Sequence, residues 1–270
     1  MNTQSMQYFE IIRAIHRGGL SLWLNRKTLM PMTLVPIIVT FLTLMVMRAN
    51  FPDGVEPSAF VLALMQIPAE FVTGIFCSLI IFIIMNAPKK GDKDAPVMFS
   101  LNIMERKDLL LMGAIAHVVF GYFASGAVGA MQLLFEPMQE AAKVDQAPSM
   151  LNIIILFTIM GFLFYAVRFI VFPILVIGKV DFKVFYAQHR NVGFSLPIFA
   201  VKFVTTTVAT LIIYAVATVL LGASGGGENM NPTQMAILDM FMAIGSVIST
   251  AWAYAALSIG VRQMLEGKVA

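Results

Sequence analysis

Six long stretches of this 270-residue chain carry almost no charge, and each is long enough to cross a hydrocarbon layer as a helix, which takes about 20 residues. They fall at 29–47, 59–85, 109–135, 150–178, 196–221 and 237–261. None alternates apolar and polar residues as a membrane barrel strand does, so helix is the expected conformation. Composition closes the alternatives. Hydrophobic residues make up 59% of the chain and charged residues 12%, against roughly 45–50% and about 25% in soluble domains. A water-soluble globule of this size has no interior large enough to hide that much apolar surface. The expected fold is all-α: a polytopic integral membrane helical bundle of six transmembrane helices, with amphipathic helices on its cytoplasmic face. Prolines Pro31, Pro36, Pro68 and Pro173 fall within spans, where the carbonyls they free must be satisfied by neighbouring helices. Cys77 is the one cysteine and lies inside an apolar run, so neither an intramolecular disulfide nor a CxxC site is available.

Basic residues give an orientation. Fourteen lie on one side of the expected spans: Arg13, Arg17, Arg26 and Lys27 before the first, Lys89, Lys90, Lys93, Arg106 and Lys107 after the second, Lys179, Lys183 and Arg190 after the fourth, and Arg262 and Lys268 after the last. The opposite loops hold Arg48 and Lys143. This bias places both termini in the cytoplasm. The first apolar run lacks a small-residue cleavage pattern, so it is expected to stay as an anchor, and residues 1–28 lack the character of a transit peptide.

Residues 5–27 form a candidate surface helix. At 100° per residue Tyr8, Ile11, Ile12, Ile15, Leu22 and Trp23 share one arc, while Glu10, Arg13 and Arg17 share another. Such a helix would lie along the inner leaflet beside anionic lipid. Residues 96–108 and 182–192 have a related plan, the latter with Asp181 as N-cap, Gly193 as closing residue and Pro197 in the first turn of the next span. The chain therefore parses as an amphipathic cytoplasmic segment at 1–28, a transmembrane domain at 29–261 and a cytoplasmic tail at 262–270. A threefold internal repeat, each unit a surface helix followed by two spans, fits the same layout.

The amphipathic N-terminal helix, the proline-containing first span and the segment RFIVFPILVIGKVDFKVFYAQHRNVGFSL at 168–196 resemble the YciC-like bacterial membrane proteins. They are also similar to the membrane domain joined to some glycerophosphodiester phosphodiesterases. The resemblance covers most of the chain in layout and about 168–195 in residue pattern. It departs at YAQHRNVG, where the family usually shows a serine-containing helix. It implies six helices and a bacterial inner-membrane location, and it carries over no active site.

Ionisable residues inside spans are costly and are the first places to look for function. By helical rise, Arg168 lies about 15 Å from the cytoplasmic end of span four and Glu70 about 22 Å from that of span two. An Arg168–Glu70 pair is expected, with His117 and Gln66 as neighbours. Such a pair reads either as a proton- or ion-coupled site or as an ion pair fixing helix register. Lys202 and Asp239 are placed near span ends, where snorkelling explains them. Gly121, Ser125 and Gly129 in span three, and Gly245, Ser249 and Ala253 in span six, recur at spacing four and mark close helix packing. Thr206, Thr210 and Tyr214 give span five a mildly polar stripe. Ten of the 20 methionines map to the outer side, Met45, Met47, Met65 and Met131 among them, but no Cys or His joins them, and core filling is preferred over soft-metal binding.

No cofactor, metal site or catalytic set is expected. Gly222, Gly225, Gly226 and Gly227 follow no strand, so a phosphate loop is rejected, and HExxH is absent. The basic residues face lipid headgroups rather than nucleic acid. The functional expectation is a non-enzymatic inner-membrane protein that organises lipids or partner membrane proteins, itself included. The alternative is a small-solute or ion transporter or channel built on the Arg168–Glu70 pair.

Overall fold

A computed structural model describes residues 10–51, 58–86, 107–119, 122, 150, 153–155, 157–158, 161, 167–188, 192–222 and 230–266. Among them there is helix and no strand. In chain order the helices are α1 (Ile11–Leu24), α2 (Arg26–Asn50), α3 (Ala59–Asn86) and α4 (107–119). A 3₁₀ segment (Val167–Val171) leads into α5 (Phe172–Ile177), followed by α6 (Phe182–Gln188) and α7 (Val192–Lys202). A π-helical turn (Phe203–Val208) joins α7 to α8 (Ala209–Leu220), and α9 (Pro232–Glu266) ends the described chain. Among the described residues, four helices are long and apolar enough to cross a membrane: Arg26–Asn50, Phe60–Asn86, Ser195–Leu220 and Pro232–Leu265. The protein is an all-helical integral membrane protein. Most of the expected spans 109–135 and 150–178 lies outside the described residues, as do Gly121, Ser125, Gly129 and nearly all of 96–108.

Helix α9 is the axis of the bundle. It packs against α1, α2, α3, α8 and the π turn. Lipid tails are as apolar as leucine, so helices associate through close van der Waals contact rather than a hydrophobic drive. Small residues make that contact available, and α9 supplies them in Ala251, Ala253, Ala255, Ala256 and Ser258, all buried. Gly245, Ser249 and Ala253 lie at helix contacts as their spacing predicts. Ser249 and Ala253 are buried, and a Cβ on Gly245 would meet Ile213 of α8 at 2.9 Å. The outward sides of α2 and α8 expose large apolar residues, including Leu34, Ile38, Leu42, Leu211, Ile212 and Val219, as lipid-facing helices should.

The two ends of the bundle are tied by different polar groups. At one end Arg48 of α2 bonds Asp239 of α9 at 2.6 Å. At the other Arg262 of α9 donates to the Ile84 carbonyl of α3 at 2.7 Å.

Helix α1 departs from its expected role. Its fully buried residues are Ala14, Gly18 and Ser21, flanked by partly buried Ile11, Ile15 and Leu22 of the apolar arc, and it lies directly on α9. A Cβ on Gly18 would come within 2.7 Å of the Ala256 backbone nitrogen, and Trp252 donates to the Ile15 carbonyl at 2.9 Å. Ile12 is 84% exposed instead. The reason is the one above: in a bilayer the small residues make the closest approach, and Ile12 and Trp23 at the outer edge of the arc are left exposed. Asn25 then ends the helix, its side chain donating to the Ser21 carbonyl, and α2 starts at the next residue.

The turn into α6 keeps one expectation and corrects two. Asp181 caps α6, accepting from the Lys183 and Val184 amides at 2.8 and 3.3 Å. Gly193 does not close that helix: α6 ends at Gln188, and Gly193 belongs to the first turn of α7. Pro197 consequently sits inside α7, about one turn later than expected. Pro173 is not mid-helix either. It occupies the first turn of α5, where its missing N–H costs nothing, because the preceding turn is 3₁₀ rather than α.

Candidate functional site

Four helices bring ionisable side chains together inside the bundle. Counting from the end of the bundle that carries Asn86, residue 107, Val192 and Glu266, His117 lies ten residues along α4 and Lys202 ten along α7. Tyr254 lies twelve residues from the end of α9 and Glu70 sixteen from the end of α3. At 1.5 Å per residue these are about 15, 15, 18 and 24 Å from the helix ends, within the span of a hydrocarbon core of about 30 Å, with Glu70 nearest its far side.

Small residues set the approach of α3 and α4 that brings His117 to Glu70. A Cβ on Gly74, one turn from Glu70, would lie 3.0 Å from the Ala114 Cα and 3.1 Å from the His117 Cβ. One turn further, Gly113 of α4 rests on the Ser78 side chain, where an added Cβ would overlap the hydroxyl oxygen. Glycine at both positions lets the two backbones close.

The result is a continuous hydrogen-bonded chain. His117 Nε2 is 2.8 Å from Glu70 Oε2, and His117 Nδ1 is 2.8 Å from the Tyr254 hydroxyl. The carboxylate accepts, which assigns the proton of a neutral imidazole to Nε2 and leaves Nδ1 to accept from the phenol. The Glu70 side chain is 43% exposed and that of His117 8%, while Tyr254 is buried. The chain thus runs from an accessible carboxylate into the packed core. The Lys202 ammonium lies over the Tyr254 ring, 5.6 Å from its centre, within the roughly 6 Å at which a cation is attracted to a ring face. Among the described residues that ring is its one recorded contact, and Lys202 and Glu70 are near enough for their charges to interact.

The helix that carries Lys202 changes register immediately after it. Residues 203–208 wind as a π turn, a feature often found at functional sites. Thr205 and Thr206 bond back to the Val201 and Lys202 carbonyls at 2.7 and 2.6 Å, so these threonines hold the turn together.

Arg168 belongs elsewhere. Its Nε donates to the Ser195 hydroxyl at 2.7 Å, and its carbonyl accepts from the Tyr186 hydroxyl at 2.8 Å. Ser195 is three residues into α7, about 5 Å from its start. The expected Arg168–Glu70 ion pair therefore does not form: Glu70 is held by His117, and Arg168 is held about 10 Å nearer the helix ends than Lys202. Depth arithmetic on a straight α-helix misplaced Arg168, because its segment is 3₁₀ and stops at a turn. Gln66 shares the Glu70 face of α3, one turn away, and makes no recorded hydrogen bond to these groups.

Two members of the array escaped the sequence. Lys202 was placed near a span end, but α7 begins at Val192 and carries it deeper. Tyr254 was not singled out, since one tyrosine among apolar residues announces nothing by spacing. The pairs Gly74–Ser78 and Gly113–His117, both at spacing four, were the available signal. Among the described residues no cluster of His, Cys, Asp and Glu can hold a metal ion. No protein-family model, curated protein or solved structure matches this chain.

Proposed function

We propose that this protein transports a small solute or ion together with protons, using Glu70, His117 and Tyr254 as the proton-carrying element. The observation that carries this reading is the unbroken carboxylate–imidazole–phenol chain within the membrane span, accessible at Glu70 and buried at Tyr254. Intramembrane chains of acidic and histidine groups serve as proton relays, and each such group is too costly to keep in hydrocarbon without a use or a partner. An imidazole between two oxygens can take a proton on one nitrogen and release one from the other. The sequence favoured a scaffold because one ion pair is thin lining for a transport path. Four converging ionisable groups change that balance, and no enzymatic step is proposed.

The test is proton movement into vesicles holding the purified full chain and a trapped pH dye, with a mixture of small anionic, cationic and neutral solutes outside. Wild type should acidify the lumen under an inward proton gradient. His117→Phe should slow this by about 100-fold, the lower end of what a positioned acid–base group contributes. Equal rates for wild type, His117→Phe and empty vesicles would end the proposal.

The full architecture proposed is six spans in a bacterial inner membrane, as the YciC-like resemblance implies, with both termini cytoplasmic by the charge bias and three repeated units by the layout of surface helices and spans. Reporters fused after residues 92, 143 and 227 should read cytoplasmic, periplasmic and periplasmic. A second reading, a protein that organises anionic lipids or partner membrane proteins, is favoured by the outward side of α1. There Trp23 is exposed with the Arg26 guanidinium 4.5 Å above its ring, an arrangement suited to the headgroup layer. Protein purified in mild detergent should then carry phosphatidylglycerol with it, and Arg26→Gln should lower that amount while leaving proton movement unchanged.

A further inference from the structure

We infer that the solute carried with the proton is a small monovalent carboxylate, seated on Lys202 and moved in a one-to-one ratio with a proton held on His117. This inference rests on the transport reading and names its substrate class. The argument starts from charge balance. A desolvated site is costly to hold with net charge, and the array as it stands carries one negative group, Glu70, and one positive group, Lys202. The two are not in contact. His117 and Tyr254 stand between them, and the Lys202 ammonium meets the face of a ring rather than an anion. An ammonium has three donors, and a ring face supplies no full acceptor charge. A monovalent anion on Lys202 would supply it. The site would then hold one negative charge too many, and a proton on His117 removes the excess. Anion and proton therefore enter together or not at all.

Hydrogen bonding gives the coupling a stereochemical route. In the neutral chain the Tyr254 hydroxyl donates to His117 Nδ1, so its proton is committed. A proton added at Nδ1 makes that nitrogen a donor, and the Tyr254 oxygen becomes the acceptor. The phenol proton is thereby released to donate elsewhere. An anion on Lys202 lies beside that same phenol, because the ammonium sits over its ring. Protonation of His117 thus creates a second donor at the anion site, and no bond is made or broken other than those of the moving proton. Two donors from two side chains match the two oxygens of a carboxylate. A dianion such as malonate or phosphate would bring a charge that one proton does not balance. The other titratable groups facing this part of the core are the buried Cys77 thiol of α3, Tyr122, whose hydroxyl donates to the Ala63 carbonyl on the Glu70 side, and Arg168, which Ser195 holds two turns away along α7.

The experiment uses the full chain in phosphatidylethanolamine–phosphatidylglycerol vesicles, with labelled lactate as the monocarboxylate probe, malonate and choline as contrasts, and a trapped pH dye. Under an inward proton gradient, wild type should take up lactate with one proton per anion. The initial rate should stay constant when the membrane potential is clamped positive, zero or negative, because the loaded site is neutral. Lys202→Met should lower lactate uptake by about tenfold or more, since the anion loses its charged donor, and Lys202→Arg should keep a measurable part of it. Should Lys202→Met fail to fold, the proton-to-lactate ratio and voltage independence of wild type decide alone. Proton movement without lactate uptake would overturn this inference and leave the transport reading standing. Lactate uptake that follows membrane potential, or uptake of choline or malonate in its place, would also overturn it. If neither lactate nor protons move faster than in empty vesicles, both proposals fall together.

Discussion

The protein holds two buried polar clusters on neighbouring helices, and they differ in kind. The cluster around Arg168 joins a permanently charged guanidinium to the Ser195 hydroxyl and, through the Arg168 carbonyl, to the Tyr186 hydroxyl, on segments close in sequence. Its hydrogen bonds fasten the 3₁₀ segment and α6 to the foot of α7. The cluster around His117 joins α3, α4 and α9, which are remote in sequence, and every member can exchange a proton. The first satisfies a charge and has no second state. The second has a histidine between two oxygens and can redistribute its protons without moving an atom heavier than hydrogen. Burial of polar groups alone therefore does not identify a working site. What distinguishes them is whether the partners offer alternative protonation states.

The largest effects should separate the clusters outright. Arg168→Leu removes hydrogen bonds made by a charged group, worth about 1.5–3 kcal/mol. Folded yield and melting temperature in detergent should fall, while proton movement per folded molecule stays at the wild-type rate. His117→Phe should behave in the opposite way, folding with modest loss and moving protons about 100-fold more slowly. If Arg168→Leu abolishes proton movement in protein that folds normally, the two clusters are one site and the comparison fails.

A smaller effect tests which residues share a cluster. Groups in direct contact show coupling energies of about 0.5–3 kcal/mol, while distant independent sites add within roughly 0.3–0.5 kcal/mol. A double-mutant cycle on unfolding free energy should find coupling for Glu70→Gln with His117→Phe. Glu70→Gln with Arg168→Leu should be additive. Coupling in the second cycle and none in the first would restore the ion pair that depth alone suggested.

Much of this was legible in the sequence, and the part that was not has a common cause. Apolar run length and charge fix where helices cross, so 59–85 matches α3 closely, and the cap at Asp181 was readable because capping is local chemistry. Depth was readable for Glu70, whose helix is continuous, but not for Arg168, whose segment is 3₁₀, or for Lys202, whose helix starts earlier than expected. Rotation about the helix axis was not readable either. The partner of Glu70 was set by Gly74 and Gly113, which let α4 close on α3. The same blindness laid α1 along the leaflet and missed that Ala14, Gly18 and Ser21 dock it on α9. In water an apolar arc points inward. In lipid that rule is lost, and small residues become the better guide.

A pair of tyrosines sharpens the contrast further down the scale. Tyr186→Phe removes the hydroxyl that donates to the Arg168 carbonyl, and Tyr254→Phe removes the one that donates to His117. Each should cost about 1 kcal/mol of stability, the usual net worth of one hydrogen bond. The functional readings should diverge: Tyr186→Phe should transport normally, and Tyr254→Phe should slow proton movement by about tenfold or more. Equal transport by the two variants would remove Tyr254 from the relay and end the chain at His117.

The smallest effect expected is a gain, and it lies beside the Arg168 cluster. Helix α5 ends in a turn in which the Val180 amide bonds the Leu175 carbonyl at 2.8 Å and the Lys179 amide bonds Val176 at 3.1 Å. That closure needs a left-handed residue, and Lys179 supplies it with φ of 54°. A side chain in that region costs about 1–2 kcal/mol, which glycine avoids, though glycine loses more entropy on folding, by about 0.5–1 kcal/mol. Lys179→Gly should therefore raise stability by about 0.5–1 kcal/mol, read as a small upward shift in melting temperature. The lysine charge complicates a single comparison, since a cation near a helix C-terminus contributes about 0.3–1 kcal/mol of its own. Lys179→Ala removes the charge but keeps the strain, so it should be no more stable than wild type, and the step from Ala to Gly isolates the backbone contribution. Transport should be unchanged in both variants. A glycine variant no more stable than the alanine variant would mean that the turn relaxes away from the left-handed conformation, and that Arg168 is anchored by Ser195 and Tyr186 without help from the end of α5.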